Sequence, residues 1–283
     1  MRVISHPAFP RLHPTGHHPE RSERLAVLHE RFPDFVTAGP AAVEDILRCH
    51  EAAYVERIRG LTGPTWLDND TVGSETSYEA ALLAAGASIE AALEGGFALV
   101  RPPGHHALAG SAMGFCLFAN AVIGARAAQA RLGVERVAIV DFDVHHGNGT
   151  QALVAGDDSI LYVSLHQWPF YPGTGGPEEQ GETLLNIPFP AGAGDAEYLA
   201  AFTEAVEPKA RRFDPGLVVV SAGFDAHEDD PLADIRLTQD GFRELCRRCA
   251  SLAPRVAAVL EGGYNISTLP GLVEAALEGF DSV

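Results

Sequence analysis

The chain has 283 residues, 46% of them hydrophobic and 20% charged, a balance that excludes both a disordered chain and one embedded in a membrane. Lysine and arginine number 20 against 38 aspartate and glutamate residues, and the net charge of -18 repels phosphate backbones and anionic lipid, so neither nucleic acid nor a membrane is expected as a partner. Four cysteines (Cys49, Cys116, Cys246, Cys249) are too few to staple so long a chain, and MRVISHPAFP lacks the charged-then-apolar pattern of an export signal, which predicts a reducing cytoplasm.

In chain order, a strand is predicted at Val3 to Ser5, followed by the histidine-rich HPAFPRLHPTGHH and by PERSERLAVLHERF, where Pro19 begins a helix. Residues 1–75 are expected to cap the rim of a sheet instead of folding alone. A helix at Ser77 to Leu93 leads to a strand at Phe97 to Val100, and a helix at Leu117 to Arg131 leads to one at Val137 to Asp141. Strands at Ile160 to Leu165 and Leu184 to Ile187 precede a helix at Ala196 to Arg212 and a strand at Leu217 to Ser221. The series closes with helix Asp240 to Leu252, strand Val256 to Leu260 and helix Thr268 to Leu277. Short apolar runs alternating with amphipathic stretches predict a parallel α/β fold in three layers, with residues 1–283 forming a single domain. Cys246 and Cys249 fall on one face of a helix with no second pair to complete a metal knuckle, and they read as core packing.

The polar residues collect just after the strands, in RPPGHH, DFDVHHGNGT, HQWPFYPGTGG, SAGFDAHEDDP and EGGYN. Ligands of open parallel sheets bind outside the carboxyl ends of the strands, so these loops are expected to converge on one site. Asp141, Asp143 and His145 alternate at the end of an extended segment and point to one side. Asp143, His145 and Asp225 together make three protein ligands, the count that leaves a position open for water and substrate. Two oxygens and a nitrogen suit zinc, the preferred reading, and also ferrous iron, cobalt or manganese. His105 and His106 then become candidates for acid and base work, with Asp141 available to back His105. Tyr264, after Gly262 and Gly263, is placed to donate to an oxyanion.

The motifs RPPGHHA, GFCLFANA, DFDVHHGNGT, YVSLHQ with YPGTGG, SAGFDAHEDDPL and EGGYN resemble, in order, those of zinc-dependent histone deacetylases and acetylpolyamine amidohydrolases, in the class II-like bacterial branch. The resemblance implies an arginase/deacetylase-like α/β fold with a mainly parallel eight-stranded sheet, and hydrolysis of an N-acyl amide. It implies Asp143, His145 and Asp225 as zinc ligands, His106 as general base and acid, His105 as its partner held by Asp141, and Tyr264 as donor to the carbonyl. Asn148 stands where other branches carry an aspartate behind the second histidine, which makes His106 less basic. Gly114, Phe115 and Tyr171 resemble the walls of an acyl-lysine tunnel, and Asp70 resembles a rim carboxylate. Asp141, Asp143, His145, Ser164 and Leu165 resemble a buried potassium site.

Leu232 stands where polyamine-specific relatives can carry an acidic gatekeeper, which points to acylated lysine peptides or similar small acylated amines, with acetylpolyamines as the alternative. A dinuclear-manganese ureohydrolase is disfavoured by the order Asp141, Asp143, His145 and by His227 two residues beyond Asp225. A catalytically silent scaffold is disfavoured by the presence of Tyr264 and both histidines of the pair.

Overall fold

A computed structural model describes all 283 residues. The elements are β1 (Val3–Ser5), α1 (Glu23–Arg31), β2 (Val36–Thr37), α2 (Val43–Ile46), α3 (Ala52–Arg59), β3 (Thr65–Trp66), β4 (Val72–Gly73), α4 (Ser77–Glu94), β5 (Phe97–Ala98) and α5 (Asn120–Leu132). They continue with β6 (Val137–Asp141), α6 (Asn148–Val154), β7 (Ile160–Gln167), β8 (Leu184–Phe189), α7 (Asp195–Ala201), α8 (Glu207–Phe213), β9 (Leu217–Ala222), α9 (Gln239–Ala250), β10 (Val256–Leu260) and α10 (Leu269–Asp281).

Eight strands form one sheet in the order β2-β1-β5-β10-β9-β6-β7-β8, and every neighbouring pair is parallel. All carboxyl ends therefore lie along one edge. The five strands that carry the polar motifs are the five consecutive central ones, β5, β10, β9, β6 and β7, which is why their loops meet. The register sets Asp141 of β6 beside Ser164 of β7 and Ser221 of β9. These central strands are buried on both faces, as their unbroken Val, Ile, Leu and Ala runs require. The helices pack in pairs, α4 on α5 and α9 on α10, and 76 buried residues form one continuous apolar cluster. Cys246 and Cys249 belong to that cluster on the inner face of α9.

Several boundaries differ from the sequence reading. Helix α1 begins at Glu23, not Pro19, because the chain from Thr15 to Glu20 is turned back on itself by the Thr15 hydroxyl bonding the Glu20 carbonyl. The helix expected from Leu117 starts at Asn120, since Met113 and Cys116 pair across a tight bridge just before it. The helix expected from Ala196 to Arg212 is interrupted by a π-helical segment, Phe202–Val206, ahead of Pro208, which has no amide hydrogen to give the ladder. Strand β5 is only two residues long. Residues 1–75 do more than cap a rim, because they supply the edge strand β2, its neighbour β1 and the small antiparallel pair β3–β4.

Candidate active site

Asp143, His145 and Asp225 place one ligand atom each within 4.8 Å of one another. Asp143 and His145 lie in the loop after β6, and Asp225 in the loop after β9. His145 Nδ1 is 3.1 Å from Asp143 Oδ1 and 3.1 Å from Asp225 Oδ2. The carboxylates are held from behind by backbone amides, Gly262 N to Asp143 Oδ2 at 2.8 Å and Val144 N to Asp225 Oδ1 at 2.9 Å. A Cβ on Gly262 would stand 2.1 Å from Asp225 Oδ2, and one on Gly223 would stand 2.1 Å from Asp143 Oδ2. The two glycines let the backbone close around the acids.

Electrostatically the trio needs a positive charge. Burial and the neighbouring Asp143 push the Asp225 carboxyl up to about 7. Burial works against the His145 imidazolium, but its hydrogen bonds to Asp143 and Asp225 outweigh that and push it up to about 10. Two buried oxygens and one nitrogen closing on a common point fit a divalent cation of the zinc kind. His227, in contrast, stacks on Phe242 at 6.5 Å between ring centroids and takes the Asp229 amide on Nδ1.

The histidine pair sits on the loop after β5. His105 Nδ1 is 3.1 Å from Asp141 Oδ2, and the same oxygen accepts the Tyr162 hydroxyl at 3.0 Å. Burial opposes charge on His105, but Asp143 and Asp141 prevail and raise it to about 10. His106 is the opposite case: burial, then the charges of His105 and His145, hold it well below the usual imidazole range. Its Nδ1 is 2.7 Å from Asn148 Oδ1, at the first residue of α6. The His106 ring lies 4.0 Å from that of His105 and 6.0 Å from that of His145.

Aromatic rings surround these groups. A Cβ on Gly114 would meet His106 Cδ2 at 2.3 Å, so only glycine lets the chain pass this ring. Phe115 follows with φ of +70°, a costly backbone for an aromatic residue, and its amide is held by Thr71 Oγ1 at 2.9 Å. The Phe115 ring stands edge-on to Tyr264 at 5.7 Å, while Tyr171 stands edge-on to His106 at 5.3 Å and to His145 at 5.9 Å. The guanidinium of Arg24 lies over the Tyr264 ring at 4.9 Å. At the rim, the Asp70 carbonyl accepts His18 Nε2 at 3.0 Å, and Asp70 Oδ1 accepts the Thr71 hydroxyl at 3.2 Å. Leu232 is half-buried in the turn after Asp230. Ser164 and Leu165 are buried in β7 beneath the loop of Asp143.

Three groups close to this constellation escaped the sequence reading. Glu261 Oε2 accepts the amides of Gly104 at 2.6 Å and His105 at 3.1 Å, and Oε1 accepts Ser221 Oγ at 2.9 Å, so it clamps the histidine loop to the sheet. With Cys116 and His105 it forms a second compact set of ligand-type side chains. Its own hydrogen bonds, and the contact of the Cys116 thiol with the Gly114 carbonyl at 3.3 Å, account for that set as a structural clamp. Phe170 stacks on His145 at 5.4 Å and 20° between planes. Arg24, fully buried, donates to the carbonyls of Gly263 at 2.7 Å and Glu261 at 2.5 Å. The arginine lies in a charged helical stretch whose only sequence signal is amphipathicity.

Residues 13–280 match the histone deacetylase domain. A probable deacetylase of Archaeoglobus fulgidus is 38% identical, over 99% of this chain and 86% of that protein. A histone deacetylase-like amidohydrolase of Pseudomonas aeruginosa is 43% identical, over 87% of this chain and 70% of that protein. The crystal structure of the HDA15 HD domain superposes with a TM-score of 0.94 at 35% identity, covering 99% of this chain and 91% of that one. The molecule is thus a hydrolase with the arginase/deacetylase-like fold. The chain belongs to the histone deacetylase family, and its reaction class is deacetylation.

Proposed function

We propose that the protein is a single-domain, zinc-dependent amidohydrolase that removes an acyl group, acetyl in the first place, from the side-chain amine of lysine or a similar linear amine. The observation that carries this reading is the closure of Asp143, His145 and Asp225 on one point beside a neutral His106. These three residues would hold the zinc ion, which supplies a Lewis acid for the acyl carbonyl and makes water acidic enough to be deprotonated near neutral pH.

The remaining chemistry belongs to the side chains. Asn148 Oδ1 accepts the proton on His106 Nδ1, which leaves the Nε2 lone pair to take a proton from the attacking water. The same nitrogen then returns that proton to the leaving amine. His105, held as an imidazolium between Asp141 and Asp143, keeps a positive charge beside the reacting centre. Tyr264 donates its hydroxyl to the carbonyl oxygen as negative charge grows there. Gly114, Phe115 and Tyr171 would admit a narrow unbranched stem, and Asp70 would accept hydrogen bonds from the substrate backbone at the rim.

A potassium ion held by Asp141, Asp143, His145, Ser164 and Leu165 completes the proposal, and one detail supports it. His166 Nε2 is 2.9 Å from the Gly175 carbonyl, which only accepts, so its Nδ1 is bare and accepts the Ser164 hydroxyl proton at 2.9 Å. The Ser164 lone pairs are therefore left for a cation. The four cysteines are all free thiols, which supports a reducing, cytoplasmic setting, and no helix is long and apolar enough to cross a membrane.

The test offers zinc-loaded protein a panel of acetyl-lysine and longer acyl-lysine peptides, acetylputrescine and acetylspermidine, and follows release of the free acid. Faster turnover of the acetyl-lysine peptide supports the reading. A preference for the polyamines of tenfold or more selects the acetylpolyamine alternative, which the net charge of -18 would also serve. No release from any of them refutes both.

A further inference from the structure

We propose that Asp230 is a positioning residue that ties the carbonyl donor Tyr264 to the rim residue Leu232, so that rate and substrate choice are set through one carboxylate. The inference rests on the roles given above to Tyr264 and Leu232, and it adds the group that holds them together.

Asp230 is 8% exposed and lies midway along the loop between β9 and α9, five residues after the metal-site residue Asp225. Its Oδ2 accepts the backbone amide of Tyr264 at 2.7 Å and that of Asn265 at 3.3 Å, while Oδ1 accepts the amide of Leu232 at 3.0 Å. Tyr264 and Leu232 both lie outside helix and strand, so no sheet or helix ladder holds these amides. Tyr264 also follows Gly263, which has φ of +114°, a conformation with little side-chain restraint on where the next residue points. The contact is reinforced from the far side by Asn265 Nδ2, which donates to the Asp229 carbonyl at 2.8 Å.

A carboxylate suits this place because both its oxygens only accept and all three partners only donate. An asparagine of the same shape keeps one acceptor oxygen and with it either the two amides of Tyr264 and Asn265 or the one of Leu232, whereas an alanine releases all three. In the alanine variant the phenol would lose its fixed position and the Leu232 turn would come free. Misplacing a reacting group by about 1 Å can cost about 100-fold in rate, whereas a surface turn lost elsewhere costs stability and leaves the chemistry alone.

The experiment compares Asp230→Ala in the wild type and in a Tyr264→Phe background, with kcat and KM measured on an acetyl-lysine peptide and on acetylspermidine. Metal content and the visible spectrum of the cobalt-substituted protein are recorded beside them. Asp230→Ala is expected to lower kcat on the peptide at least about tenfold with the cobalt spectrum unchanged. It is also expected to change the peptide-to-polyamine ratio of kcat/KM by more than about threefold. In the Tyr264→Phe background the same substitution should change kcat less than about threefold, because the donor it positions is already gone.

An equal loss in both backgrounds, an altered cobalt spectrum, an unmoved ratio, or no loss of kcat in the wild type overturns the proposal. If Asp230→Ala does not fold, Asp230→Glu keeps two acceptor oxygens on a longer stem, and its loss of kcat must vanish in Tyr264→Phe in the same way. Failure of the underlying reading has a different signature: wild type without turnover, or Tyr264→Phe as active as wild type, and the proposal then falls with it.

Discussion

His106 Nδ1 lies 2.7 Å from the side-chain oxygen of Asn148, and because that oxygen only accepts, the ring proton is on Nδ1 and the lone pair is on Nε2. A neutral amide gives an imidazolium little stabilisation, and burial together with the charges of His105 and His145 holds the ring well below its ordinary value. A base works in its neutral form, so the acid limb of the kcat/KM profile is expected below the ordinary imidazole pKa of about 6.5. Asn148→Asp places a carboxylate there, stabilises the protonated ring and should move that limb upward by about one to three pH units. A limb that stays in place would separate the Asn148 contact from the base.

Tyr264→Phe removes one hydroxyl from a ring that keeps its seat between Arg24 at 4.9 Å and Phe115 at 5.7 Å. The variant should bind zinc as the wild type does and lose about 100- to 1,000-fold in kcat, the usual effect of deleting an oxyanion donor. Rates within about threefold of wild type would mean that the phenol is no donor to the carbonyl.

Leu232 offers no charge to a second ammonium. An opposite charge at about 4 Å is worth about 4 kcal/mol at surface-like dielectric before desolvation, so Leu232→Glu should shift kcat/KM toward acetylspermidine and away from the acetyl-lysine peptide. An unchanged ratio would assign selection to another rim residue.

The parts legible in the sequence are those written locally. Asp143, His145 and Asp225 follow apolar runs directly, and a parallel sheet sends the ends of such runs to one edge, so their meeting could be anticipated from order alone. Glu261 could not, because a glutamate ending a strand looks like an exposed charge until Gly104 and His105, 157 and 156 residues away, supply the amides that hold it. Asp230 was hidden in the same way within an acidic HEDD run. Val36–Thr37, at two residues, carries too little periodicity to be seen as the eighth strand. The sequence also places Arg24 on a charged helix face, whereas the folded chain buries it.

Glu20 shows how that burial is sustained. Its two oxygens accept Arg101 Nε at 2.9 Å and Nη2 at 2.8 Å, and Arg24 Nη1 lies 3.5 Å away, all three side chains being fully buried. Burial opposes the charge, but the Arg101 guanidinium prevails and lowers the carboxyl to about 2. A carboxyl depressed in the folded state stabilises it above the unfolded value near 4.5, and that contribution fades as the pH falls from there through about 2. Glu20→Gln should destabilise by about 3 to 5 kcal/mol at neutral pH, since it strands buried guanidinium groups. Denaturant unfolding should show the gap to wild type narrowing on acidification, and a gap independent of pH would contradict the assignment.

Metal dependence can be dissected with single substitutions. Asp225→Ala and Asp143→Asn are expected to lose zinc and nearly all turnover, whereas Cys246→Ser, in the core of α9, should retain both. The most direct test strips the protein with a chelator and follows deacetylation of an acetyl-lysine peptide while zinc is added back. Activity should start near zero, rise in proportion to zinc and level off at one ion per chain, and full turnover by the rigorously metal-free protein would contradict the account.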